Sequence, residues 1–254
     1  MESLPSNSQW GLLTAPKRAL LLHGLTLASH TWEGVAHAVA EAGYHVTAPN
    51  LVGHGYRKGH DMCVQALAKD LQPYFADGAG YDCLVGHSLG GLVSLALLPL
   101  LPPTKPTSVI LVDPPLELSQ ELVVQKREYF LQATRNAEHL EALMADNPLW
   151  PRRDAVGRSF GLQMCTTDMV EDVFKKNDPW SFSSLLQSIP RHVFLTVLVS
   201  DPALSDVCPV DCIPVHPQIQ AVVLEGIDHW IQFVKPELIL NTVLSSVAKV
   251  RADL

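Results

Sequence analysis

An α/β fold, with a mostly parallel central sheet flanked by helices and one helical insertion, is what this sequence of 254 residues predicts. Three observations predict it. Short apolar runs of strand length alternate with stretches of helical period, and strands separated by helices pair in parallel through right-handed crossovers. That alternation stops once, between about residues 116 and 190, where helical stretches rich in Glu, Gln and Arg take over. The residues able to do chemistry sit directly after the apolar runs, at the carboxyl ends where open parallel sheets gather their sites.

The elements follow in chain order. Residues 1–9 read as a loose polar arm, and residues 9–14 as a short edge strand. Residues 18–22 form a continuously apolar, buried strand that runs into His23-Gly24-Leu25. Residues 31–41 form a helix with Trp32, Val35, Val39 and Ala40 on one face, closed by Gly43. The strand 44–48 leads into Pro49-Asn50-Leu51-Val52-Gly53-His54-Gly55. Val64, Leu67, Leu71 and Phe75 mark a helix whose end Pro73 frays. Residues 81–85 make a strand, Gly86-His87-Ser88-Leu89-Gly90 a tight turn, and residues 92–98 a buried helix. Residues 107–112 are a strand that ends in Asp113-Pro114-Pro115.

The insertion holds candidate helices at 120–134, 137–145, 155–164, 167–175 and 182–188, punctuated by Pro148, Pro151 and Pro179. Strands return at 192–199, before Asp201, and at 218–224, before Gly226-Ile227-Asp228-His229-Trp230. A last helix starts at Pro236 and buries Leu240, Val243, Leu244, Val247 and Val250. Residues 1–115 and 191–254 are therefore expected to form one core, with residues 116–190 as a helical cap.

Composition excludes several function classes. A net charge of −8 without a basic cluster argues against nucleic acid and against an anionic membrane surface as partners. The longest apolar run, residues 92–101, is too short to span a bilayer and carries Pro99. Residues 1–9 lack an apolar segment of the secretory type, so no export signal is expected. Five cysteines without framework spacing fit free thiols in a reducing, cytoplasmic setting. Cys208-x-x-x-Cys212 with His216 lacks the fourth ligand of a closed zinc site, so no metal is expected. A homodimer stays open.

The chemistry centres on Gly86-x-Ser88-x-Gly90. Between a strand and a helix, such a turn presents the serine clear of the sheet, in front of the free N–H groups of the helix start. A serine needs a base within hydrogen-bond reach and a third group to orient that base.

With these residues the chain resembles the α/β-hydrolases, from about Arg18 to the C-terminus except in the detail of the insertion. The resemblance implies the α/β-hydrolase fold with a lid-like cap, and a chain order of Ser, acid, His. Ser88 is then the nucleophile. His229, in a loop similar to the family's terminal G-x-x-H, is the base. Asp201, after the penultimate strand, stands at the usual acid position. Asp113 is the alternative acid, placed as in lactonases of the zearalenone-degrading type; Asp206 and Asp228 are lesser candidates.

His23-Gly24-Leu25 resembles the family's H-G-x signature, which implies oxyanion donors at the Leu25 and Leu89 N–H groups, with Gly24 close to the substrate. The loop from Pro49 to Gly55 resembles P-D-L-x-G-x-G with Asn50 in place of aspartate, and His54 is expected to anchor it. His87 is expected to be structural. Candidate substrate-lining residues are Trp150, Phe160, Met164, Trp180 and Phe182 of the cap, and Trp230.

The implied function is a serine hydrolase acting, without a cofactor, on a small-molecule ester or lactone that is apolar and small to medium in size. Two alternatives stand beside it. One is carbon–carbon hydrolysis or hydroxynitrile-lyase-like chemistry on the same triad, since Ile227-Asp228-His229 followed by Lys235-Pro236 is broadly similar to plant methylesterases and hydroxynitrile lyases. The other is a non-catalytic small-molecule binding protein of this fold.

Overall fold

The computed structural model describes residues 6–76, 78, 80–136 and 139–252, with side chains described up to residue 248. Seven strands among these residues form one sheet. They are β1 (Asn7–Trp10), β2 (Lys17–Leu22), β3 (Tyr44–Pro49), β4 (Cys83–His87), β5 (Thr107–Val112), β6 (Val193–Ser200) and β7 (Ile219–Leu224). Their order is β1-β3-β2-β4-β5-β6-β7, and only β1 runs antiparallel to its neighbour.

The apolar runs are continuous because both faces of the sheet are covered. Leu20, Leu22, Leu84, Val109 and Leu111 enter one core. Their sequence neighbours Ala19, Leu21, Cys83, Val85, Ile110 and Val112 enter the other. A one-residue slip in register would exchange every side chain between the two cores. The helices α1 (Glu33–Glu41) and α9 (Pro236–Ala252) cover the second face, and α2 (Val64–Asp70) and α3 (Leu89–Leu97) the first. The insertion contains α4 (Gln120–Asn136), α5 (Leu140–Asp146), α6 (Arg152–Gln163) and α7 (Thr167–Lys176), and the short α8 (Ile231–Val234) precedes α9.

Three expectations change. The edge strand begins inside the supposed arm, at Asn7, and ends at Trp10 rather than Thr14. Gly11 stops it at φ 80°, where a Cβ would lie 2.2 Å from the Tyr44 carbonyl oxygen. The helix expected over residues 137–145 runs over Leu140–Asp146, and residues 137 and 138 lie outside the described part. In α9 the buried stripe is Ile239, Val243 and Val247, at strict i, i+4 spacing; Leu240 is half-buried, Leu244 is exposed, and the side chain of Val250 is not described.

Candidate active site

Ser88 joins β4 to α3 with φ 52° and ψ −120°, a strained conformation for any residue with a Cβ. Two neighbours leave no room for side chains. A Cβ at Gly86 would lie 2.3 Å from the Gly90 carbonyl oxygen, and one at Gly90 2.2 Å from that of Leu22. The Ser88 N–H donates to the Val112 carbonyl at 2.9 Å, which anchors the turn to β5. Ser88 opens onto a cavity of about 540 Å³ that His229 also lines.

His229 follows β7. Its Nδ1 donates to Asp113 Oδ2 at 2.6 Å, which leaves Nε2 as the basic nitrogen of the neutral ring. Asp113 is fully buried at the end of β5, with φ 48°. The Ser200 N–H and hydroxyl donate to its Oδ1 at 2.9 and 2.8 Å, and the Ser205 hydroxyl lies 3.5 Å from Oδ2. The two Ser200 donors thus hold the oxygen that His229 does not use.

Asp201 does not reach His229, which corrects the first choice of acid. Its Oδ2 accepts from the Gly226 N–H at 2.7 Å and its Oδ1 from the Ala203 N–H at 2.8 Å. Those two donors hold its carboxyl below the usual range. Its own N–H donates to the Ile227 carbonyl at 2.7 Å, so Asp201 staples the turn that carries His229. Asp206 pairs with Lys126 at 2.5 Å, and Asp228 accepts from the Trp230 N–H at 2.9 Å.

His87 is bonded to the backbone of His229. Its Nε2 donates to the His229 carbonyl at 3.1 Å, and its Nδ1 lies 3.3 Å from Gln232 Nε2. Burial, then the neighbouring His229, push its pKa well below the ordinary value and keep it neutral. His23 and His54 are likewise buried and neutral. His54 accepts from the Thr26 N–H at 3.1 Å and His23 from the Leu51 N–H at 3.0 Å. Asn50, the departure from the family's loop pattern, accepts from the Ser29 N–H at 2.7 Å.

Burial holds the His54 pKa at about 4. Between that value and its unfolded value near 6.5, the unfolded chain binds a proton that the folded chain does not. Stability therefore falls as pH drops through this window, by about 3 kcal/mol from His54 alone. Urea midpoints measured from pH 7.5 to 4.5 are expected to fall, and to fall less steeply in His54→Asn. Equal slopes in the two proteins would contradict this.

Leu25 and Leu89 both line the cavity beside Ser88. Leu89 is the first residue of α3, where N–H groups have no intrahelical acceptor. Gly24 lies behind Ser88 rather than on the cavity wall: a Cβ there would be 2.8 Å from His87 Nδ1 and 3.1 Å from Ser88 Cβ.

Of the cap aromatics named from sequence, Trp180 lines the cavity, and so does Trp230 next to His229. The Trp180 indole N–H donates to the Pro115 carbonyl at 2.7 Å, and Phe182 packs against its ring at 5.9 Å. Trp150, Phe160 and Met164 do not line it. Trp150 packs edge-on against Trp230 and Phe233 in a separate cluster. Phe160 is 52% exposed against His30, and Met164 closes α6, half-buried. For Phe160 and Met164, periodicity gave the spacing but not the direction α6 faces. Sequence reasoning missed Lys126, Tyr129 and Phe130 of α4 and Phe174 of α7, which line the cavity. The i, i+3, i+4 spacing of the first three on one helix was the available signal.

Comparisons with known proteins agree with the architecture. A family profile described as alpha/beta hydrolase fold matches residues 20–145. Lipase LipV of Mycobacterium tuberculosis is 34% identical over 110 residues, which cover 41% of this chain and 40% of that protein. A putative protein-lysine deacylase of Homo sapiens is 34% identical over 106 residues, 38% of this chain and 47% of that one. Probable protein phosphatase methylesterase 1 of Caenorhabditis elegans is 36% identical over 86 residues, 31% of this chain and 24% of that one. The matches thus span less than half the length of these relatives.

Among solved structures, E-2-(acetamidomethylene)succinate hydrolase superposes with a TM-score of 0.75 at 16% identity, covering 95% of this chain and 94% of the other. N-formylmaleamic acid deformylase of Pseudomonas putida S16 superposes with 0.72 at 18% identity, covering 93% and 94%. At such identities the likeness is one of fold. Among the described residues, no helix is long and apolar enough to cross a membrane.

Proposed function

This chain is an α/β-hydrolase by fold, and from that premise we propose a serine hydrolase that cleaves a carboxylic ester or lactone of a small to medium apolar substrate through an acyl-enzyme. The observation that carries the reading is the 2.6 Å hydrogen bond from His229 to the buried Asp113, on the same cavity as the strained Ser88.

The chemistry follows from that pairing. Ser88 Oγ attacks the acyl carbonyl while His229 Nε2 takes its proton. Asp113 accepts the Nδ1–H bond, holds the ring in the productive tautomer and stabilises the imidazolium that forms. The Leu25 and Leu89 N–H groups donate to the oxyanion as it develops. His229 then returns the proton to the leaving oxygen, and water repeats the sequence to release the acid. The cavity favours an apolar acyl or alcohol group, since Phe130, Phe174 and Trp180 form one aromatic wall with centroids 6.3 and 5.2 Å apart. The relatives carry the names lipase, methylesterase and deacylase, each an acyl-cleaving activity, which agrees with this reading.

The test is a panel of short aliphatic esters, aromatic esters and lactones with acid release as the readout. Turnover of apolar members of modest size is expected, with long-chain esters poorer because the cavity offers only about 540 Å³. Folded protein that hydrolyses no ester or lactone overturns the proposal.

A further inference from the structure

Arg158 lies in the insertion helix α6 and is only 1% exposed, an uncommon position for a guanidinium. Its Nη1 donates to the Thr26 carbonyl at 2.9 Å and also to the Thr26 hydroxyl. Its Cζ sits 4.9 Å from the centre of the Trp230 ring, within cation–π range. One side chain of the insertion therefore touches both the residue after Leu25 and the residue after His229.

Thr26 needs such support. Its φ is 58°, a left-handed conformation that a β-branched residue adopts only at an energetic cost. It is the third residue of the turn closed by the Leu27 N–H on the Gly24 carbonyl at 3.2 Å. Strained backbone of this kind persists only where its surroundings over-determine it. Here His54 accepts the Thr26 N–H at 3.1 Å, the Thr26 hydroxyl donates to the Leu25 carbonyl at 2.7 Å, and Arg158 holds the carbonyl and hydroxyl oxygens. The close approach of α6 depends on Gly161, where a Cβ would lie 2.7 Å from the Thr26 carbonyl oxygen.

We propose that Arg158 is a positioning residue for acyl transfer. By fixing Thr26 it sets the direction of the adjacent Leu25 N–H, and by stacking on Trp230 it ties that loop to the loop of His229. The inference rests on the serine-hydrolase reading above. It also gives the insertion a part in the reaction beyond walling the cavity: displacement of α6 would loosen the oxyanion donor and the base loop together.

Arg158→Met tests it, since methionine keeps apolar bulk under Trp230 and removes the donors. The kcat for a substrate ester is expected to fall about 30-fold, a fraction of the 10²–10³ that loss of an oxyanion donor costs. KM should stay within about twofold, because the interaction strengthens in the transition state. The second-order rate of fluorophosphonate labelling should fall in parallel, since the phosphonyl oxygen uses the same donors. Arg158→Lys, which keeps the charge but loses the planar fork, should recover part of the kcat. Unchanged kcat and labelling rate in folded Arg158→Met overturn the inference, even if its Tm drops. Should that variant not fold, Arg158→Lys decides alone: a drop of about fivefold in kcat at constant KM supports positioning, and wild-type kcat overturns it. A wild-type protein that never labels Ser88 sinks the hydrolase reading instead, whereas equal labelling of wild type and variants sinks only this inference.

Discussion

Asp113→Asn is expected to lower kcat by about 10⁴ while KM changes little. The size follows from the bonds around the carboxylate. The Ser200 N–H and hydroxyl both donate to Oδ1, so an asparagine there would keep its carbonyl oxygen toward Ser200. Its NH₂ would then face His229 Nδ1 and force the proton onto Nε2. A histidine in that tautomer cannot take the proton of Ser88. Asp201→Asn should behave differently, because among the described residues its carboxylate accepts from the Ala203 and Gly226 N–H groups and not from His229. It is expected to keep kcat within about threefold and to lose only a little stability, since one accepted hydrogen bond is lost. Steady-state kinetics of the two variants side by side check this. The reverse pattern would return the acid role to Asp201.

His229→Ala is expected to lower kcat by about 10⁶, and the double variant with Ser88→Ala should be no worse. Nucleophile and base act as one unit, so removing either leaves only binding and the oxyanion donors. Losses that multiply in the double variant would mean that Ser88 and His229 contribute independently. The measurement is single-turnover kinetics on an activated ester, which separates chemistry from product release.

Much of this site is legible in the sequence, and the part that is not has a physical reason. The elbow is readable because its glycines are dictated by backbone clashes that no other residue avoids, at Gly86 and Gly90. The sheet is readable because β2, β4, β5 and β6 are buried on both faces and so are continuously apolar. The carboxylate partner of His229 is not readable. Asp113 and Asp201 follow adjacent parallel strands, β5 and β6, two residues apart in register. What separates them is direction. Asp113 adopts φ 48° and sends its carboxylate to His229, while Asp201 turns toward the Ala203 and Gly226 N–H groups. A proline pair after Asp113 reads in sequence as a turn, with nothing to mark the positive φ. The cap fails for a related reason: Phe160 has helical context, but α6 presents it to His30, and Trp150, in the loop before α6, packs against Trp230 rather than into the cavity.

The central claim is that Ser88 is an activated nucleophile, and the most direct measurement is reaction of the folded protein with a fluorophosphonate followed by peptide mapping. A single phosphonyl adduct on the peptide containing Ser88 is the expected result, with none in Ser88→Ala and a greatly slowed reaction in Asp113→Asn. An adduct on another serine, or no adduct on protein that is demonstrably folded, would contradict the account.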